Sequence, residues 1–207
     1  SLFGALLLFV LAACSPRMET VVILSTNDIH AHIEKFPQLA EAVKKCRDTV
    51  KNVILVDAGD RWTGNAYVDR AATPGMPMIA LMNRLGYDVA TLGNHEFDNG
   101  IDSLAKVLRM SNATKLATNY KLDGTPLAGM FETYDIKEYD GKRIGFIGIN
   151  LDPEGIIAKG NYDGLVFEPI IETANEVAAK LKNEDKVDAV IALSHIGYAP
   201  AGLVGDS

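Results

Sequence analysis

Short runs of β-branched and aliphatic residues alternate with stretches of helical periodicity along most of this chain. That alternation confines it to folds built from β-α-β units, with a largely parallel sheet and helices over its faces. Val21-Val22-Ile23-Leu24 and Val53-Ile54-Leu55-Val56 are unbroken apolar runs, too short for helices, and read as strands buried on both sides. Val89-Ala90-Thr91-Leu92, Lys115 to Asn119 and Val187 to Leu193 read as further strands. Between them, Pro37 to Thr49 places apolar residues three and four apart, the spacing of one helix face. Thr73-Pro74-Gly75-Met76-Pro77 is turn chemistry, followed by a helix from Met78 to Leu85 that stops at Gly86. Ile101 to Met110 predicts another helix, with Asn99 or Asp102 as its cap. Thr133 to Tyr139 and Arg143 to Ile149 flank Asp140-Gly141, a hairpin signal. Pro169 to Leu181 carries a stripe of Ile170, Ile171, Ala174, Val177, Ala178 and Leu181. No repeat or linker interrupts residues 20–207, so one domain is expected there.

The N-terminal stretch has a different character. Ser1 to Ala13 is uncharged and apolar but shorter than the roughly 20 residues a spanning helix needs. It fits the apolar core of a secretory signal, and Leu11-Ala12-Ala13-Cys14 resembles a bacterial lipobox. Residues 1–19 are therefore expected to be a signal peptide and short tether, with Cys14 lipidated. The expected location is the cell envelope, facing the periplasm or on the cell surface. The bland alternative is a core segment that happens to end in cysteine. If Cys14 carries lipid, Cys46 is unpaired, and no disulfide framework exists. The net charge of -7 and the absence of a basic run argue against a nucleic-acid polymer as partner. They leave a small phosphorylated substrate open, because bound metal reverses the local sign.

Ligands of parallel α/β sheets collect at the carboxyl ends of strands. Here the first strand runs into Asn27-Asp28-Ile29-His30-Ala31-His32 and the second into Asp57-Ala58-Gly59-Asp60. The third runs into Gly93-Asn94-His95-Glu96-Phe97-Asp98 and the last into Ser194-His195-Ile196-Gly197. All four histidines of the chain lie in these segments. Asp28 and His30 are two apart, so an extended backbone would aim both to one side, where they can hold one ion. Asp60 has two oxygens and can bridge to a second ion, to which Asn94 and His195 would add an oxygen and an imidazole. Such a pair of cations attracts phosphate and activates a water. His95 would then stabilise the transferring oxygens or protonate the departing alkoxide. Asp98 would orient His95, or serve only as a helix cap. Glu96 and His32 are expected behind the ligands or toward solvent. Glycines at 59 and 93 let the chain turn sharply.

Together these four segments, with Gly64 after Gly59-Asp60, resemble the ordered signatures of the calcineurin-like metallophosphoesterases. The stretch from Pro77-Met78 through Gly86-Tyr87-Asp88 into Gly93-Asn94-His95-Glu96-Phe97-Asp98 is similar to the 5′-nucleotidase branch. That branch also holds UDP-sugar hydrolases and 2′,3′-cyclic nucleotide phosphodiesterases. The resemblance runs from Val21 to about Asp206. It implies a four-layer α/β/β/α catalytic domain and two divalent ions of zinc, manganese or iron type. By motif match Asp28 and His30 bind the first ion, Asp60 bridges, Asn94 and His195 bind the second, and His95 with Asp98 is the catalytic dyad. The implied activity is hydrolysis of a nucleotide or other small phosphate ester by metal-activated water; no protein partner is implied. The family pattern continues with a Gly-x-His-x-His segment and a C-terminal nucleoside-binding domain, whereas this sequence ends at Gly205-Asp206-Ser207. The domain in 20–207 is thus expected to be incomplete at its C-terminal end, with weak or absent turnover. Two other readings fit the same residues: a lipid-anchored binder of phosphorylated solutes, and a sulfur-ester hydrolase on the same scaffold.

Overall fold

The computed structural model describes residues 20–197, so the expectations for the signal segment, tether and Cys14, and for the last ten residues, lie outside the described residues. Four strands pair in sequence order into a parallel sheet: β1 (Val21–Thr26), β2 (Asn52–Asp57), β3 (Val89–Ala90) and β4 (Thr114–Lys115). The connections carry α1 (Phe36–Thr49), then α2 (Ala66–Asp69) with α3 (Met76–Leu85), then α4 (Ile101–Leu108). Side chains of α1, α3 and α4 form one core with Leu55, Ala90 and Leu92 of the sheet. A second sheet holds β6 (Tyr134–Tyr139), β7 (Lys142–Asn150) and β9 (Ala189–His195), antiparallel between β6 and β7 and parallel between β7 and β9. A short antiparallel pair, β5 (Tyr120–Lys121) with β8 (Val166–Phe167), stands beside it. Helix α5 (Ile170–Asn183) covers the outer face of the second sheet through Val177 and Leu181 against Ile147 and Ile149. The layers are therefore α/β/β/α, as the resemblance implied.

The two-residue period of β7 explains how the sheets meet. Ile144 and Phe146 face the first sheet, packing with Ile54, Val56 and Val89, while Ile147 and Ile149 face α5. Gly148 falls on the inner face, where a Cβ would come within 2.6 Å of Thr91 Oγ1 and 2.7 Å of the Leu116 carbonyl. Gly145 falls on the outer face, where a Cβ would meet the Leu181 methyls at 2.9 Å and 3.0 Å. Beyond Gly148 the inner face turns polar. The buried Asn150 amide donates to the Leu92 carbonyl at 2.6 Å, and Asn119 and Asn150 exchange side-chain-to-backbone bonds, both of 2.8 Å.

Four local expectations need correction. The third strand stops at Ala90, because Thr91 turns its hydroxyl to Leu116 O and Leu92 gives its carbonyl to Asn150. The segment 115–119 is not one strand. It crosses from one sheet to the other: Leu116 N donates to Ala90 O in the first sheet, and Thr118 N donates to Gly148 O in the second. Helix α4 is preceded by Gly100 at φ 79 without a side-chain cap, so neither Asn99 nor Asp102 caps it. Ile171 is 71% exposed, one position off the stripe that Ile170, Ala174, Val177 and Leu181 bury. The expected hairpin is present, and φ of 51 and 79 at Asp140 and Gly141 gives its turn the two positive values of the type I′ form.

The close approach of the sheets at β7 makes a ranked prediction. Gly148→Ala should lower the unfolding free energy by about 1–3 kcal/mol, because its neighbours include backbone that cannot move aside. Gly145→Ala should lower it by less, since the Leu181 methyls can rotate. Urea titration of both variants checks the order, and equal losses would show that the sheets are not in rigid contact there.

Candidate metal centre

The ends of β1, β2, β3 and β9 converge on the carboxylate of Asp60, which is 3% exposed. His195 Nε2 lies 3.2 Å from Asp60 Oδ2, and His30 Nε2 lies 3.8 Å from the same oxygen. Asp28 Oδ1 stands 3.7 Å from His30 Nε2. The other Asp60 oxygen accepts the backbone N–H of His95 at 2.8 Å. Potential ligand atoms of Asp28, Asp60 and His195 lie within 4.8 Å of one another, and so do those of His30, Asp60 and His95. Asp60 belongs to both groups. One buried carboxylate shared by two sets of imidazole and carboxylate donors suits a pair of divalent cations.

Each imidazole is aimed by a hydrogen bond at its second nitrogen, the usual arrangement behind a metal-binding histidine. His195 Nδ1 bonds Ala58 O at 2.9 Å, and His30 Nδ1 bonds Thr63 O at 3.0 Å. His95 Nδ1 instead faces Asp98 Oδ2 at 2.8 Å, which leaves its Nε2 toward the cluster. His30 and His95 stack edge to face, ring centroids 5.0 Å apart. Burial pulls the His195 pKa down, but the Asp60 carboxylate outweighs it and lifts the imidazole to about 9. Burial pushes Asp60 up, yet bonds from His195 and the His95 N–H hold it below the usual carboxylate range. His95 is raised in spite of burial, through Asp98 and Asp60.

The backbone here is strained. Asp28, His30, Ala31, Asp60 and Thr63 all have φ between 45° and 71°, five of the seven non-glycine residues in that region among the described residues. Such conformations cost roughly 1–3 kcal/mol each and persist only where their surroundings over-determine them. The surroundings are visible. Asp28 N, His30 N and Ala31 N donate to the carbonyls of Gly59, Asp60 and Arg61 at 2.9–3.0 Å, extending the β1–β2 pairing past the strand ends. These φ values overturn the expectation of an extended Asp28-Ile29-His30; the two side chains converge through a left-handed turn.

Of the two places expected for Glu96 the structure takes the one behind the ligands, and it adds a buried Arg61 that the sequence did not single out. Glu96, 1% exposed, accepts the backbone N–H of Asp60 and Arg61, both at 2.9 Å, and of Gly93 at 2.5 Å. It pins the loop after β2 to the loop after β3. Arg61 is buried between Glu96 and Asp57, its Nε 2.7 Å from Asp57 Oδ2 but off the axis of a hydrogen bond. Burial pushes Asp57 up to about 6, with Arg61 opposing. Gly93 is glycine for want of room, since a Cβ there would collide with the Asp60 carboxylate. Asn94 is half-buried between Gly93 and His95, both of whose N–H groups are tied to the site. His32 points away, exposed and bonded to Glu34 at 2.8 Å.

Comparison with known proteins agrees with this geometry. The calcineurin-like phosphoesterase family matches residues 21–205. The rat (Rattus norvegicus) 5′-nucleotidase is 31% identical over 96% of this chain and 38% of its own length. The trifunctional nucleotide phosphoesterase YfkN of Bacillus subtilis is 27% identical over 86% of this chain and 14% of its own. A 5′-nucleotidase precursor from Thermus thermophilus superposes with a TM-score of 0.79 at 27% identity, covering 86% of this chain and 37% of that one. The chain thus spans 14% to 38% of the length of these curated relatives. By family match, fold and similarity together, it belongs to the calcineurin-like phosphoesterases, on the branch of the 5′-nucleotidases and YfkN.

Proposed function

We propose that this chain carries out metal-dependent hydrolysis of phosphate esters, with nucleotides as the substrate class. The observation that carries the reading is the sharing of Asp60 by the two donor groups. The names of the relatives, 5′-nucleotidases and a nucleotide phosphoesterase, supply the substrate class. In this reading, which takes its assignment from the motif match rather than from the grouping by distance, Asp28 and His30 would hold one cation and Asn94 and His195 the other, with Asp60 shared. Two divalent cations of zinc, manganese or iron type, when bound, supply Lewis acidity and a nucleophile at neutral pH. The chain does the rest. Glu96 and the β1–β2 backbone bonds hold the donors in place, so little reorganisation is needed when the ester binds. Asp98 accepts from Nδ1 and, with Asp60, raises the His95 pKa in spite of burial, which favours the imidazolium form whose Nε2–H is available as an acid. His95 hands that proton to the departing alkoxide. We further propose that the protein resides in the bacterial cell envelope, tethered by lipid on Cys14.

Four outcomes are expected. Apo-protein titrated with Mn²⁺ or Zn²⁺ should take up two ions, and turnover of nucleoside 5′-monophosphates should be slow and unselective. Asp60→Asn should lose both ions' tight binding and at least about 100-fold in turnover, more than the loss typical of a supporting residue. A wild type that binds no divalent ion, or an Asp60→Asn variant that binds and turns over normally, overturns the reading. His95→Asn should keep both ions while turnover of nucleotides drops by about 10²–10⁴. Its loss on p-nitrophenyl phosphate should be smaller, since that leaving group needs no proton; full activity on both substrates would remove His95 from the chemistry. Palmitate labelling in a bacterial host should mark the protein and vanish in Cys14→Ser; labelling that persists sinks the anchor.

A further inference from the structure

The loop between Asp60 and α2 contains an unusual concentration of bonds on one small residue. Thr63 has φ 71, a costly conformation for a β-branched side chain. Its carbonyl faces His30 Nδ1 at 3.0 Å, and its hydroxyl donates to Asp98 Oδ2 at 2.6 Å. That same Asp98 oxygen faces His95 Nδ1. Thr63 therefore touches the support of two different imidazoles, one with its backbone and one with its side chain. What keeps it there is Asp69. The Asp69 carboxylate accepts three successive backbone N–H groups, of Thr63 at 3.1 Å, Gly64 at 2.9 Å and Asn65 at 3.0 Å. Gly64, at φ 149, lies so close to the His30 carbonyl that a Cβ would come within 2.6 Å of it. The loop is thus pressed against His30 and held down by a single carboxylate that offers nothing to the cluster itself.

We infer that Asp69 and Thr63 are positioning residues that set the His30 imidazole and the His95–Asp98 pair through one shared loop. The inference rests on the metal-dependent reading above. The division of labour is specific. The Thr63 carbonyl orients His30, and so governs only the cation that His30 binds. The Thr63 hydroxyl orients Asp98, and so governs only His95. Asp69 fixes the φ of Thr63 and governs both. His195 is aimed by Ala58 and has no bond to this loop, so the cation it binds should be insensitive to all of these changes.

The test is a cation titration of the apo-protein, with thermal unfolding of each apo variant as a control and turnover measured beside it. Asp69→Asn places an amide against N–H donors and should weaken one of the two cation-binding steps by about 10- to 100-fold, leaving the other within about 2-fold. Thr63→Val keeps the carbonyl and loses the hydroxyl. Both cation steps should be unchanged, with kcat down by about 10-fold or more at similar KM. Thr63→Ser restores the hydroxyl and should recover kcat. Equal weakening of both cation steps in Asp69→Asn would show a general effect on the fold and overturn the inference. So would a Thr63→Val variant with wild-type kcat, or one that loses a cation. If Asp69→Asn does not fold, the Thr63→Val and Thr63→Ser variants still decide between these outcomes. A wild type that takes up no cation defeats the function itself, whereas two intact steps in every variant defeat this inference alone.

Discussion

The site depends on keeping one carboxylate, that of Asp60, charged and almost wholly out of water. A bare ion in that position would be unfavourable by several kcal/mol. The structure offsets this with His195 at one oxygen and the His95 N–H at the other, and brings His30 to within 3.8 Å of the first. Each donor arrives from the end of a different strand, so the anion is tolerable only when the strands stand in their native order. Gly93 completes the condition by leaving room for the carboxylate that any Cβ would displace. The same interaction that makes the fold specific gathers imidazole and carboxylate donors around one point.

Strain in the loops is sustained by order in the layers beneath them. The first sheet is clamped on both faces, by the helix core around Leu55 and Leu92 and by the inter-sheet core around Ile54, Val56 and Phe146. Asn150 extends that clamp to the third loop by holding the Leu92 carbonyl just before Gly93. Five left-handed residues among the donor-bearing loops can then be over-determined, because the strand ends from which they spring have little freedom left. The second sheet thus does more than bury apolar surface. It sets the distance between His195 on β9 and the loops of the first sheet.

Much of this was legible in the sequence, and the limits have physical causes. Unbroken aliphatic runs at residues 21–24 and 53–56 announce doubly buried parallel strands, and the gathering of Asp28, His30, Asp60, Asn94, His95 and His195 just past such runs announces a site. The two-sheet arrangement came from the resemblance alone, because hydrophobic periodicity reports that a face is buried and not what buries it. Helix α2 and strand β8 are too short for any period to show. The turn at Asp28 and His30 was missed because left-handed φ in a non-glycine residue is imposed by tertiary hydrogen bonds, which no local pattern encodes. Arg61 and Asp69 were missed, and Glu96 was left between two positions, for the converse reason. A charged residue looks the same in sequence whether it faces solvent or collects backbone N–H groups inside.

The carboxylates around Asp60 differ from it in how their oxygens are used. Asp57, Glu96 and Asp69 lie close to Asp60 in the chain or in space, yet each has its oxygens committed. Glu96 holds three N–H groups, Asp69 holds three, and Asp57 takes Thr26 Oγ1, Gly59 N and the Arg61 guanidinium. A carboxylate whose lone pairs already point at amide hydrogens must break those bonds to bind a metal. Asp60 differs: one oxygen takes the His95 N–H, while the other faces only imidazoles that can themselves become ligands. Arg61, raised above its ordinary pKa by Glu96 and Asp57 against the pull of burial, cancels part of the surplus negative charge behind the site. Hydrogen bonding, rather than charge, is therefore what sets Asp60 apart from its acidic neighbours. Adding carboxylates to such a pocket strengthens it only where their lone pairs are left free.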